Sequence, residues 1–104
     1  MSSSETYTVA VLPGDGIGPE VMHEALHVLE AASEKYGFTC RTTEELIGGA
    51  AIDETGHPLP EKTERTCLEA DAVLLGSVGG PKWDTISPEL RPERGGLRAL
   101  RKKL

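Results

Sequence analysis

Residues 7–20 read YTVAVLPGDGIGPE, and the order of residue types in this stretch decides the fold. Residues 7–12 are β-branched or apolar at both parities, which suits a strand covered on both faces, as in a parallel sheet. Residues 13–19 then make a tight turn, and Pro19 fits the first turn of a helix because its missing N–H would have no intrahelical partner there. A helix is expected from Glu20 to about Lys35, with Val21, Ala25, Val28, Leu29 and Ala32 as an apolar stripe wide enough to lie on a sheet. Gly37 is a natural stop. The polar residues before Tyr7 are expected to form a mobile tail.

Further along, residues 38–43 (FTCRTT) alternate and carry β-formers, so a second strand is expected. Residues 47–52 (IGGAAI) and 56–60 (GHPLP) have loop and short-turn chemistry. A weak helix over residues 60–70 leads to a third strand at residues 72–75, apolar throughout. Strand, helix, strand, helix, strand is an α/β order, implying parallel strands joined by right-handed crossovers. The third strand breaks at Gly79-Gly80, crosses a polar loop holding the only Trp, and enters a helix on which Leu97, Leu100 and Leu104 define a stripe still running at the last residue. The sequence is therefore expected to be a segment of a longer chain. A ligand site is expected where that loop leaves the strand's carboxyl end.

With 104 residues and 38% hydrophobic content, one small domain is expected and a second core is not. The net charge of −6 is unevenly placed, since residues 91–104 hold six of the eleven Lys/Arg and one of the seventeen acids. An acidic body with a basic end suggests that the end faces an anion. Cys40 and Cys67 form no C-x-x-C pair and are read as reduced thiols that pack as small apolar groups. The start lacks the apolar core of a signal peptide, and no run approaches a membrane span of roughly 18 apolar residues. A soluble cytoplasmic protein is expected.

Three motifs invite a sharper reading. Gly14-x-Gly16-x-Gly18 follows a strand and opens a helix, but a dinucleotide fingerprint is G-x-G-x-x-G, and Glu44 and Glu45 come too late for the acid that would meet the ribose. The turn is instead expected to line an active-site cleft with its backbone N–H groups. His23-Glu-Ala-Leu-His27 matches the zinc-protease pattern H-E-x-x-H, yet both histidines fall away from the apolar stripe, toward water, and no third ligand follows at metzincin spacing, the next position that motif requires being occupied by Glu30. No metal site is expected from it. The basic helix has no interleaved aromatics, which argues against nucleic acid. Lys102 and Lys103 fit a solvated face. Arg101 falls on the margin of the Leu97/Leu100/Leu104 stripe, where a guanidinium's planar fork of donors seeks a carboxylate.

The stretches Leu12-Pro-Gly-Asp-Gly-Ile-Gly-Pro-Glu20, Gly48-Gly-Ala-Ala-Ile-Asp53, Gly76-Ser-Val-Gly-Gly-Pro-Lys-Trp-Asp84, Arg91-Pro-Glu-Arg-Gly95 and Leu100-Arg-Lys102 resemble the N-terminal part of the 3-isopropylmalate dehydrogenases, β-decarboxylating enzymes of leucine biosynthesis. The first motif is shared with isocitrate, tartrate/malate and homoisocitrate dehydrogenases, and the others are the specific ones. Isocitrate enzymes carry a serine at the helix start, and none lies between Gly95 and Arg101.

The resemblance implies an α/β fold that is the parallel-stranded N-terminal half of the first, cofactor-side domain of that architecture, not a standard Rossmann fold, with residues 1–104 ending inside the substrate-binding helix. It implies oxidation of (2R,3S)-3-isopropylmalate by NAD, then loss of a carboxylate assisted by Mg2+ or Mn2+. Arg101 would bind the malate carboxylate and Leu97 the isopropyl group. The loop of Gly80, Pro81, Lys82, Trp83, Asp84, Thr85, Ile86, Ser87, Pro88, Glu89, Leu90, Arg91, Pro92 and Glu93 would border the nicotinamide end of NAD, with Glu93 closest to the ribose. The catalytic residues and metal ligands would lie beyond Leu104. The resemblance also implies a homodimer at full length, with no nucleic-acid or membrane partner. Arg98 departs from the family, which usually has leucine there, and is expected to snorkel to water. An inactive truncated remnant, and a homoisocitrate or D-malate dehydrogenase, stand as the alternatives.

Overall fold

The structure is a computed structural model that describes residues 5–104, so most of the expected mobile tail lies outside the described residues. Strand β1 (Thr6–Gly14) runs into helix α1 (Gly18–Tyr36) and returns as β2 (Thr39–Glu44). Two short helices, α2 (Gly49–Thr55) and α3 (Glu61–Glu69), lead to β3 (Ala72–Ser77). After single 3-10 turns at Pro81–Trp83 and Pro88–Leu90, a π-helical turn (Pro92–Arg98) continues as α4 (Ala99–Lys103). The three strands are parallel in the order β2-β1-β3, so the α/β expectation holds.

The central strand shows why both parities had to be apolar. Val9 and Val11 point to one face and pack with Met22, Ala25 and Leu26 of α1. Ala10 and Leu12, both fully buried, point to the other and meet Ile47, Leu59, Cys67 and Leu100. A period of two thus divides one strand between two cores. Burial pushes the Cys67 thiol up from its ordinary 9.0, with the Glu45 carboxylate adding to it, so the group packs as a neutral thiol.

Helix α1 is rotated from the expected stripe. Met22 is buried, whereas Val21 and Val28 are 50% and 69% exposed. Ala25, Leu29 and Ala32 of the expected stripe are half-buried, and Met22 and Leu26 join that face in place of the two valines. The second correction is α2, which occupies residues expected to be loop. The third concerns the last helix, whose buried positions are Pro92, Gly96 and Leu100, four apart. Leu97 is only half-buried and Leu104 is 61% exposed. The π-helical turn falls at Gly95-Gly96. There a side chain on Gly95 would collide with the Glu89 carbonyl and Pro58, so the wide turn lets backbone approach backbone.

The turn after β1 is tight for the same reason. A Cβ on Gly14 or Gly18 would strike the Ser77 or Pro13 carbonyl, whereas one on Gly16 would meet nothing. Gly16 nonetheless has φ +56°, a left-handed conformation that costs other residues about 1–2 kcal/mol. Gly16→Ala is therefore expected to lower stability by about 1 kcal/mol through backbone strain alone, with Gly16→Asn close to wild type in urea melts.

Candidate active site

In open parallel sheets ligands bind outside the carboxyl ends of the strands, where the chain departs in opposite directions. Here that place lies between β1, which leaves toward β2, and β3 on its other side. Three segments converge on it: the turn after β1, the start of α2, and the loop after β3. One side chain joins them. Asp15 Oδ2 accepts hydrogen bonds from the Gly49 N–H at 2.7 Å and the Gly79 N–H at 2.9 Å, and Oδ1 accepts from the Ala50 N–H at 2.7 Å. The Asp15 backbone is held in turn, its N–H donating to the Ser77 carbonyl at 2.7 Å and its carbonyl accepting from the Ser77 hydroxyl at 2.8 Å.

Of the turn's N–H groups, expected to line a cleft, those of Asp15 and Gly18 are spent inside the fold, Gly18 donating to the Asp15 carbonyl at 2.8 Å. The turn also offers other loops a carboxylate. For α2 that carboxylate serves as the N-cap: no side chain next to Gly48 caps the helix, and negative charge at a helix start is favourable.

The loop of residues 80–93 folds back on α2. The Trp83 indole lies over the Gly49 backbone, so closely that a Cβ at Gly49 would land in the ring. The Lys82 ammonium sits 4.6 Å from the indole centroid and 3.2 Å from the Asp53 carboxylate. That pair is well exposed and contributes little, about 0–1 kcal/mol, so the indole is the anchor. Gly49→Ala is expected to displace Trp83, shifting the fluorescence of the only tryptophan to the red and costing about 1–2 kcal/mol through overpacking. An unshifted spectrum would remove the indole from this role.

Elsewhere in the loop the Arg91 Nε–H donates to the Ile86 carbonyl at 3.1 Å, and the Glu93 carboxylate lies against Gly79, at the mouth of the crevice. Gly80 and Ile86 are half-buried, Pro92 is buried, and Pro81, Asp84, Thr85, Ser87, Pro88, Glu89 and Leu90 are exposed. Arg101 differs from its expectation. It is exposed rather than on the margin of the core, because α4 turns its Leu100 and Lys103 side toward α3, where Lys103 pairs with Glu64 at 3.2 Å. Among the described residues the Arg101 side chain has no hydrogen bond or ion pair. Arg98 is exposed as well, as expected. Sequence reasoning missed Asp15, Gly49 and Asp53. One signal was available, an aspartate inside the turn of a chain whose Gly48-Gly49 and Gly79-Gly80 pairs both need an acceptor.

The turn after β1, the start of α2 and the loop after β3 thus meet at the carboxyl ends of parallel strands, the place where ligands bind in open α/β sheets. The family model described as isocitrate/isopropylmalate dehydrogenase matches residues 8–104, and the chain belongs to that family. It is 65% identical over 96 residues to the 3-isopropylmalate dehydrogenase of Thermotoga maritima, covering 92% of this chain and 27% of that protein. It is 58% identical over 104 residues to the 3-isopropylmalate dehydrogenase of Salinibacter ruber, covering 100% of this chain and 28% of that one. A solved β-decarboxylating dehydrogenase from Thermococcus kodakarensis superposes with a TM-score of 0.73 at 36% identity, covering 94% of this chain and 26% of that chain. The chain thus spans little more than a quarter of the length of these relatives.

Proposed function

We propose that this chain is the amino-terminal part of an enzyme that oxidises and decarboxylates (2R,3S)-3-isopropylmalate with NAD in leucine biosynthesis. The observation that carries the proposal is the 65% identity, over 96 residues and 92% of this chain, to a 3-isopropylmalate dehydrogenase. In this reading Arg101 holds the malate carboxylate in its planar fork and Leu97, half-buried on the same helix, contacts the isopropyl group. The loop from Gly80 to Glu93 borders the nicotinamide end of NAD.

The residues present fit that cofactor. The loop is largely exposed, and the Glu93 carboxylate at the crevice mouth is an acceptor suited to ribose hydroxyls. NAD supplies a hydride acceptor, and Mg2+ or Mn2+, with ligands outside these residues, supplies a Lewis acid. This chain's own part is to orient the substrate through Arg101 and to keep the loop in place through Asp15 and Trp83. By itself it is expected to bind neither NAD nor the catalytic ion tightly and to turn nothing over. At full length we propose a cytoplasmic homodimer without nucleic-acid or membrane partners, and among the described residues no helix is long and apolar enough to cross a membrane.

Growth tests the proposal. Joined to the remaining three quarters of the Thermotoga maritima relative, the chain should restore growth without leucine to a strain lacking the enzyme. A folded, NAD-binding chimera that fails to do so would overturn it.

A further inference from the structure

We propose that His23 and His27 on α1 form a surface chelate for a divalent transition-metal ion, separate from the Mg2+ or Mn2+ of the reaction. The two imidazoles lie one helical turn apart, with ring centroids 4.5 Å from each other. Glu24 stands beside them, its Oε1 4.0 Å from His27 Nδ1. One ligand atom from each of the three residues falls within 4.8 Å of the other two, the one such cluster of three among the described residues.

Two nitrogens bound to one ion at about 2.0–2.1 Å stand roughly 3.3 Å apart in a tetrahedral arrangement. Rotation about the side-chain bonds is the movement that would close the gap from within 4.8 Å. All three side chains are exposed, so no buried contact opposes that movement and the ion loses little of its water before it binds. Helix α1 runs for 19 residues from Gly18 to Tyr36, packs on the sheet through Met22, Ala25 and Leu26, and so holds the two histidines at fixed spacing. Glu20, Glu30 and Glu34 on the same helix give it a negative field that draws cations.

The ligand set selects the metal. Imidazole suits Cu2+, Ni2+ and Zn2+, whereas Mg2+ and Mn2+ prefer carboxylate and water oxygens. The first-row order places Cu2+ above both Ni2+ and Zn2+. Two histidines and one carboxylate leave the remaining positions to water. The H-E-x-x-H pattern that fails as a protease centre therefore works as an open clamp.

The test is a calorimetric titration of the full chain with Cu2+, alongside His23→Ala, His27→Ala and His57→Ala. His57 is the only other histidine and lies outside the cluster. Alanine at exposed positions 23 and 27 keeps the helix, which circular dichroism verifies. Saturable 1:1 binding is expected, undisturbed by excess Mg2+, with electron paramagnetic resonance recording two imidazole nitrogens on the copper. Each of His23→Ala and His27→Ala should weaken it by about tenfold or more, and His57→Ala should leave it unchanged. Absence of saturable binding, wild-type affinity in either α1 variant, or displacement by Mg2+ would overturn the proposal. Activity of the full-length enzyme is not involved in any of these readouts.

Discussion

Arg101→Ala is expected to lower kcat/KM for 3-isopropylmalate by about 10^3-fold in an enzyme carrying this segment, with no measurable loss of stability. The two halves of that result come from the same observation. Arg101 is exposed and has no partner among the described residues, so its removal leaves nothing in the fold unpaired. Substitutions of that kind change stability by no more than about 0.5 kcal/mol. In the proposed complex the guanidinium faces a carboxylate within a closed site, where truncation of one partner of a desolvated charge pair costs about 2–5 kcal/mol. At 1.36 kcal/mol per tenfold, a cost of about 4 kcal/mol within that range gives the thousandfold loss. Arg101→Lys keeps the charge and loses the fork, so roughly tenfold activity should return relative to alanine. Steady-state kinetics with thermal melts check both variants, and a lowered melting temperature would mean that the side chain holds the fold instead.

Asp15→Ala should give the opposite pattern, a loss of stability that precedes any question of catalysis. Three N–H groups from two distant segments, Gly49, Ala50 and Gly79, converge on this carboxylate at 2.7–2.9 Å. A hydrogen bond to a charged group contributes about 1.5–3 kcal/mol, but this site is only part-buried and water can replace some of the lost bonds. An effect near 1 kcal/mol per donor, about 3 kcal/mol in all, corresponds to a fall in Tm of about 12–24 °C for a domain of this size. Asp15→Asn keeps an acceptor but turns a donor toward the amides, and about half the loss is expected. Hydrogen exchange localises the effect, with the Gly49, Ala50 and Gly79 amides exchanging faster than those of β1. Uniform acceleration, or a change in stability below 0.5 kcal/mol, would show that the three segments are held by something else.

These two residues mark how far the sequence could be read. For Arg101 local features, a basic helix, an apolar stripe and a family motif, drew attention to the residue but did not give its surroundings. Its exposure was misjudged because the 100° spacing of an α-helix was carried across a π-helical turn at Gly95-Gly96. The central strand was legible, since one period of two names both of its faces. Helix α2 was not. Its cap, Asp15, lies 34 residues away, and no local signal marks a helix start at Gly48-Gly49. The same holds for the loop after β3, whose anchors are Trp83 on Gly49 and Lys82 on Asp53, pairings that span 29 residues or more. For α1 the expected stripe was right at Ala25, Leu29 and Ala32, which are half-buried, and wrong at Val21 and Val28, which are exposed. Contacts within a turn of helix or a pair of strand residues could be read; contacts that assemble the crevice from separate segments could not.

The most direct measurement is kcat/KM for NAD reduction by an enzyme carrying this segment, with 3-isopropylmalate, isocitrate and D-malate compared at saturating Mg2+. The proposal expects 3-isopropylmalate to be preferred over both by at least about tenfold, the discrimination that an apolar contact such as Leu97 to the isopropyl group supports. Equal or higher kcat/KM with isocitrate or D-malate would contradict it.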